Sequence, residues 1–85
     1  MPVSVSIQYC GGGGYAPYSS KLKTAIEKEF GPEVSVAEIG DPGATGNFEV
    51  KVNDDLIHSK KTMGHDRCEN TDSTRRVIEN IKSRI

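Results

Sequence analysis

The sequence predicts a small two-layer α/β domain, with two helices covering a mixed four-stranded sheet in the order β-α-β-β-β-α. Three observations carry this. Val3, Val5, Ile7 and Tyr9 alternate with Ser4, Ser6 and Gln8, then give way through four consecutive glycines to a helical pattern, which is a β-α opening. Asn47-Phe48-Glu49-Val50-Lys51-Val52, Asn53-Asp54-Asp55 and Leu56-Ile57-His58 read as two strands joined by a tight turn. Val77, Ile78, Ile81 and Ile85 recur at helical spacing at the end of the chain.

Each element follows in order. Pro2 is tolerated at the start of the first strand. Pro17 suits an early helical position, and Leu22, Ala25, Ile26 and Phe30 recur every three or four residues, which predicts a helix over 17–30. Gly31-Pro32 stops it, and Val34, Val36 and Ile39 form a second strand ending at Gly40-Asp41-Pro42-Gly43. A right-handed crossover makes the first two strands parallel, whereas the hairpin adds antiparallel ones. A polar stretch from Ser59 to Asn70 precedes the last helix, which Thr71 or Asp72 is placed to cap.

Length and composition bound the function. Eighty-five residues make a single domain, 1–85, expected to bury a little more than about 60 per cent of its unfolded surface. At 34% hydrophobic, 27% charged and a formal net charge of −1, the chain is neither disordered nor a basic nucleic-acid binder. It carries neither a signal-peptide pattern nor an apolar run long enough to span a membrane, so a soluble, cytoplasmic protein is expected. Two cysteines, Cys10 and Cys68, are too few for a secreted disulfide scaffold and in a reducing compartment point to thiol chemistry.

The junction Cys10-Gly11-Gly12-Gly13-Gly14-Tyr15 is the natural site, and two chemistries compete for it. Gly11 to Ala16 formally satisfies a G-x-G-x-x-A phosphate-binding pattern, with Glu38 and Asp41 near the end of the second strand. Four successive glycines satisfy any spaced pattern by accident, however, and the chain lacks a second mononucleotide-binding half and a Gly-Lys-Ser/Thr sequence. The thiol reading asks less. A cysteine leaving a strand toward a helix N-terminus is expected to present its sulfur to solvent beside unpaired amides that favour the thiolate. No lysine, arginine or histidine lies between Cys10 and Lys21 to add to that effect.

Three separated motifs, Tyr9-Cys10-Gly11-Gly12-Gly13-Gly14-Tyr15, Ala44-Thr45-Gly46-Asn47-Phe48-Glu49-Val50 and Leu56-Ile57-His58-Ser59-Lys60-Lys61, together resemble the selenoprotein W family. The resemblance runs from the first strand to Lys61 and weakens through the last helix. It implies a thioredoxin-like fold, a cytosolic antioxidant role linked to glutathione as reductant, no bound cofactor, and protein partners such as 14-3-3 proteins. The family motif is C-x-x-U or C-x-x-C, so Cys10 takes the first place and Gly13 occupies that of the selenocysteine or second cysteine. Gly13 is read here as standing in for selenocysteine in a form made for expression, since a UGA codon becomes a glycine codon by one base change. With glycine there, Cys10 is able to form a mixed disulfide but no local ring, so this form is expected to be inactive or limited to monothiol chemistry. Gly11, Gly12 and Gly14 are expected to keep backbone close to an incoming sulfur, with Tyr15 beside them and residues 45–50 supporting the sheet.

The remaining candidates have ordinary readings. Cys68, in His65-Asp66-Arg67-Cys68, is a candidate redox partner of Cys10, although a surface cysteine without a role is the simpler case. His65 and Cys68 have metal-ligand spacing, but only Cys10 and His58 remain to complete a zinc site, so no metal is expected. His58 reads as a hydrogen-bonded strand residue, Tyr15 and Tyr18 as packing on the first helix, and Lys60-Lys61 and Arg75-Arg76 as solvated faces. The competing functional class is a non-catalytic interaction module, in which the exposed loop between Cys10 and Tyr18 docks a partner and oxidation of the cysteine gates the contact.

Overall fold

The structure is a computed structural model that describes residues 3–12, 14–60 and 71–85. Its elements are β1 (Val3–Tyr9), α1 (Ala16–Phe30), a 3-10 turn (Gly31–Glu33), β2 (Val34–Gly40), β3 (Phe48–Val52), β4 (Asp55–Ser59) and α2 (Thr71–Lys82). The strands form one sheet in the order β2-β1-β3-β4. β1 pairs parallel with β2, from Val3 opposite Val34 to Tyr9 opposite Gly40, and antiparallel with β3, from Val5 opposite Val52 to Tyr9 opposite Phe48. This is the mixed sheet and two-helix arrangement expected from the sequence, and its architecture is thioredoxin-like.

Burial follows the two periodicities. Val3, Val5 and Ile7 of β1 and Phe48, Val50 and Val52 of β3 are buried on one face, where Leu22 and Ile26 of α1 and Val77 and Ile81 of α2 join them in a single core. α1 enters through Pro17 in its first turn, and Gly31, at φ 60°, closes it with an N–H donated to the Glu27 carbonyl. Asn53 and Asp54, at φ 50° and 71°, make the left-handed turn between β3 and β4. Asn53 then ties that turn to β1, its N–H donating to the Ser4 carbonyl at 2.8 Å and its Oδ1 accepting from the Ser4 N–H at 3.0 Å.

The differences from expectation lie at edges. α2 ends at Lys82, so Ile85 lies beyond the helix and is 59% exposed instead of extending the apolar stripe. Ile39 is on the solvent side of an edge strand at 48% exposed. β3 begins at Phe48, and the Asn47 side chain donates to the Asp41 carboxylate across the preceding connection. Thr71 is the first described residue of α2; the capping residue itself lies outside the described residues.

The sheet order has a consequence for the end of β1. β2 and β3 flank β1 on opposite sides, so residues 41–47, which join them, must cross over the C-terminal end of β1. That crossing brings backbone onto backbone. A Cβ on Gly11 would collide with the Asp41 carbonyl oxygen, and one on Gly12 would sit 2.9 Å from the Ala44 nitrogen. Glycine is required here for close approach. Gly11→Ala is therefore expected to lower the unfolding free energy by about 1–3 kcal/mol, read from urea denaturation with an unchanged m value. A midpoint equal to the parent's would show that the two segments do not interlock.

Candidate functional site

Cys10 follows β1 directly, and three main-chain hydrogen bonds fix it beneath the crossing segment. Its N–H donates to the Asn47 carbonyl at 2.8 Å, Gly12 N–H donates to the Gly43 carbonyl at 2.9 Å, and Asp41 N–H donates to the Tyr9 carbonyl at 2.8 Å. The thiol Sγ lies 3.8 Å from the Gly43 carbonyl oxygen, its acceptor when protonated. Cys10 is only 2% exposed, although Gly11, Gly12 and Gly14 beside it are exposed.

This corrects the expectation that the sulfur is presented to solvent at a helix N-terminus. The expected bias toward the thiolate is present, but it has another source. The Cys10 thiol is held below its ordinary pKa chiefly by the backbone amide of Gly46, against the opposing effect of burial, with further help from the amides of Gly12 and Thr45 and the Thr45 hydroxyl. Apart from Gly12, these donors come from the connection between β2 and β3, and none belongs to α1, which starts at Ala16.

Sequence reasoning singled out Asp41 only as a possible partner of a bound nucleotide, whereas its side chain organises this connection. The Asp41 carboxylate accepts from Gln8 Nε2 at Oδ1 and from Thr45 Oγ1 and Asn47 Nδ2 at Oδ2, each at 2.7 Å. Asp41 stands within a Gly-Asp-Pro-Gly turn cluster, and the signal for its structural role was the polar trio Asp41, Thr45 and Asn47 at short spacing. Glu38, the other acid considered for a ribose contact, is also engaged within the fold. It accepts from Ser19 Oγ at 2.7 Å and Ser20 Oγ at 3.4 Å and lies 4.0 Å from Lys23 Nζ.

Among the other sequence candidates, Tyr15 and Tyr18 are partly buried and pack against the core. Lys60, read as solvated, is exposed but sets its ammonium over the Tyr15 ring at 5.9 Å from the centroid, which brings it to the end of the glycine loop. His58 is buried in β4 with its ring edge-on to Phe48, 6.1 Å between centroids. Between β4 and α2, Ile57, His58, Arg76, Val77 and Asn80 line a separate cavity of about 220 Å³ that shares no residue with the Cys10 loop. Gly13, His65 and Cys68 lie outside the described residues, and with them the proposed pairing of Cys10 and Cys68. Among the described residues, no three His, Cys, Asp or Glu side chains gather as a metal site would need.

Comparison with known proteins agrees with this architecture. The Rdx family matches residues 4–82. Selenoprotein W of Danio rerio is 51% identical over 61 residues, covering 72% of this chain and 71% of the relative. Selenoprotein W of Mus musculus is 35% identical over 85 residues, the whole of this chain and 96% of the relative. Among solved structures, a selenoprotein W-related protein from Vibrio cholerae superposes with a TM-score of 0.81 at 20% identity, over 98% of this chain and 96% of that one. A protein from Bordetella parapertussis gives 0.82 at 17% identity over the full length of both chains. No helix among the described residues is long and apolar enough to cross a membrane. With one family matched from β1 through α2 and selenoprotein W relatives at up to 51% identity, the chain belongs to the Rdx family.

Proposed function

We propose that this chain carries thiol or selenol redox chemistry at positions 10 and 13, with Cys10 as the buried, resolving member of the pair. Family membership supports a redox-related role at the coarse level. The observation that carries the finer reading is the covered but anion-favouring setting of Cys10, 2% exposed beneath amides that hold its thiol below the ordinary value. A sulfur roofed in this way is a poor first attacker on a bulky disulfide and a good internal nucleophile.

The steps balance as follows. A selenolate or thiolate at position 13 attacks one sulfur of a substrate disulfide, the S–S bond breaks, and one thiolate leaves. The Cys10 thiolate then attacks the mixed bond on the position-13 atom, releasing the second substrate thiolate and closing a bond between positions 10 and 13. Two glutathione thiols reduce that bond, yielding glutathione disulfide and restoring both groups. Gly13 supplies no first attacker. We read it as occupying the place of a selenocysteine, and the codon in the native transcript decides the point, since an ordinary glycine codon would sink that assignment.

A second reading, a redox-gated interaction module for protein partners such as 14-3-3 proteins, is favoured by the exposure of Gly11, Gly12 and Gly14 on either side of position 13. Undiminished partner binding by Cys10→Ser together with an absence of disulfide exchange would select it.

Two measurements test the redox reading. Gly13→Cys is expected to accelerate exchange with a small disulfide by at least about tenfold over the Gly13 form. Adding Cys10→Ser to it should make the mixed disulfide accumulate on the introduced thiol, as seen by mass spectrometry. If the Gly13 form exchanges at Cys10 equally fast, the order of attack is wrong. The second test is thermodynamic. A thiol whose folded pKa is depressed releases its proton in the native state first, so its contribution to stability is complete above the unfolded value of about 8.5 and is lost as pH falls through the folded value. In a Cys68→Ser background, the stability difference between Cys10 and Cys10→Ser should therefore grow with pH over that window. A pH-independent difference would contradict the thiolate setting.

A further inference from the structure

The Asp41 carboxylate sits at the point where the chain leaves β2 to cross over β1, and among the described residues it accepts hydrogen bonds from three places around Cys10. Gln8 lies on β1 two residues before the cysteine, Thr45 supplies both an amide and a hydroxyl to the sulfur, and Asn47 is the residue whose carbonyl receives the Cys10 N–H. Three contacts at 2.7 Å are short for uncharged donors on a carboxylate and mark a charge-assisted set. Two of them pull residues 45 and 47 toward residue 41, folding the connection back on itself over the end of β1. Asn47 N–H donating to Thr45 Oγ1 at 3.4 Å closes the same turn.

We infer that Asp41 is a positioning residue for Cys10: its carboxylate sets the segment from Asp41 to Asn47 so that the Thr45 and Gly46 amides are aimed at the sulfur. The contacts of Asp41 to Thr45 and Asn47 reach the sulfur through the loop. The significance of the inference rests on the redox reading above, because a resolving sulfur attacks as its thiolate, but the geometry it concerns exists whatever the protein reacts with.

Two opposite effects separate this role from a bystander's. If Asp41 acted on Cys10 only through its charge, removing that charge would favour the thiolate and lower the pH at which Cys10 titrates. If it positions the amides, removing it turns them away and raises that pH. Asp41→Asn keeps the shape but confronts at least one of the three donors with an N–H₂ group, since a carboxamide has a single acceptor oxygen. Asn47→Ala removes one donor from Oδ2 with no change of charge and retains the main-chain carbonyl that receives Cys10 N–H. Among the described residues, the other ionisable groups near the loop, Tyr9 with its hydroxyl beside Gly40, Tyr15, and Lys60 over the Tyr15 ring, are the same in every variant.

The experiment measures the pH dependence of iodoacetamide alkylation at Cys10 in the full chain with Cys68→Ser, followed by mass spectrometry, with far-ultraviolet circular dichroism to confirm folding. Asp41→Asn should move the midpoint upward, so that the thiolate fraction near neutral pH falls by roughly three- to tenfold. Asn47→Ala should move it the same way by less. A folded Asp41→Asn whose midpoint is unchanged or lower overturns the inference. If that variant does not fold, an unchanged midpoint in Asn47→Ala overturns it instead. Failure of the Gly13→Cys form to exchange disulfides would sink the redox reading without moving these midpoints, so the two failures are told apart.

Discussion

The constraint on which the site depends is the place of β1 in the sheet, parallel to β2 on one side and antiparallel to β3 on the other. Adjacent strands lie about 4.8 Å apart, so a connection from the end of β2 to the start of β3 has to pass directly over the end of the strand between them. Cys10 is the residue at that end. Its burial therefore follows from topology, with no large side chain needed to cover it. The same crossing explains the glycines at 11 and 12, where a Cβ would meet the Asp41 and Gly43–Ala44 backbone, whereas Gly43 and Gly46 supply the positive φ angles, 86° and 74°, with which the connection turns. Two backbones meeting at this distance leave little room for Cβ atoms.

A sulfur under a main-chain roof has a different chemical character from one at a helix N-terminus. Removal from water disfavours its anion, while the amides that do the covering favour it, and the second effect prevails at Cys10. The donors are fixed by strand pairing at both ends of the connection, through Asp41 N–H to Tyr9 and Cys10 N–H to Asn47, so little reorganisation accompanies the change of charge. The protonated sulfur has its own partner in the Gly43 carbonyl, so both states are accommodated without rearranging the segment. Under the proposed redox reading, that suits a thiol which resolves a mixed bond.

Most of the fold was legible in the residues because it rests on short-range periodicity. The alternation in β1 and β3, the helical spacing of Leu22 and Ile26, and the left-handed pair Asn53-Asp54 each report a local constraint, and each stands where it was read. The site was only half legible. Cys10 and the glycines declare themselves as a strand-to-helix junction, but what covers the sulfur depends on strand order, a long-range property that no local pattern encodes. Asp41 illustrates the gap: in sequence it is one acid in a turn cluster, and only the return of Thr45 and Asn47 over β1 turns it into a shared acceptor. Ile85 shows the same limit in the other direction, since its helical spacing is correct but the helix ends three residues earlier.

The described glycines of the loop are required for different reasons. Gly11 and Gly12 are needed where the two segments touch, whereas Gly14, with φ 71°, has open space where a Cβ would stand. Within five residues the loop thus passes from a covered sulfur to open space at Gly14, where the left-handed backbone and not a neighbouring segment calls for glycine. Under the proposed redox reading, the burial of Cys10 makes it the member of the pair held back from substrate. The amides that bias Cys10 toward its anion belong to Gly12, Thr45 and Gly46, so that bias needs no side chain at position 13.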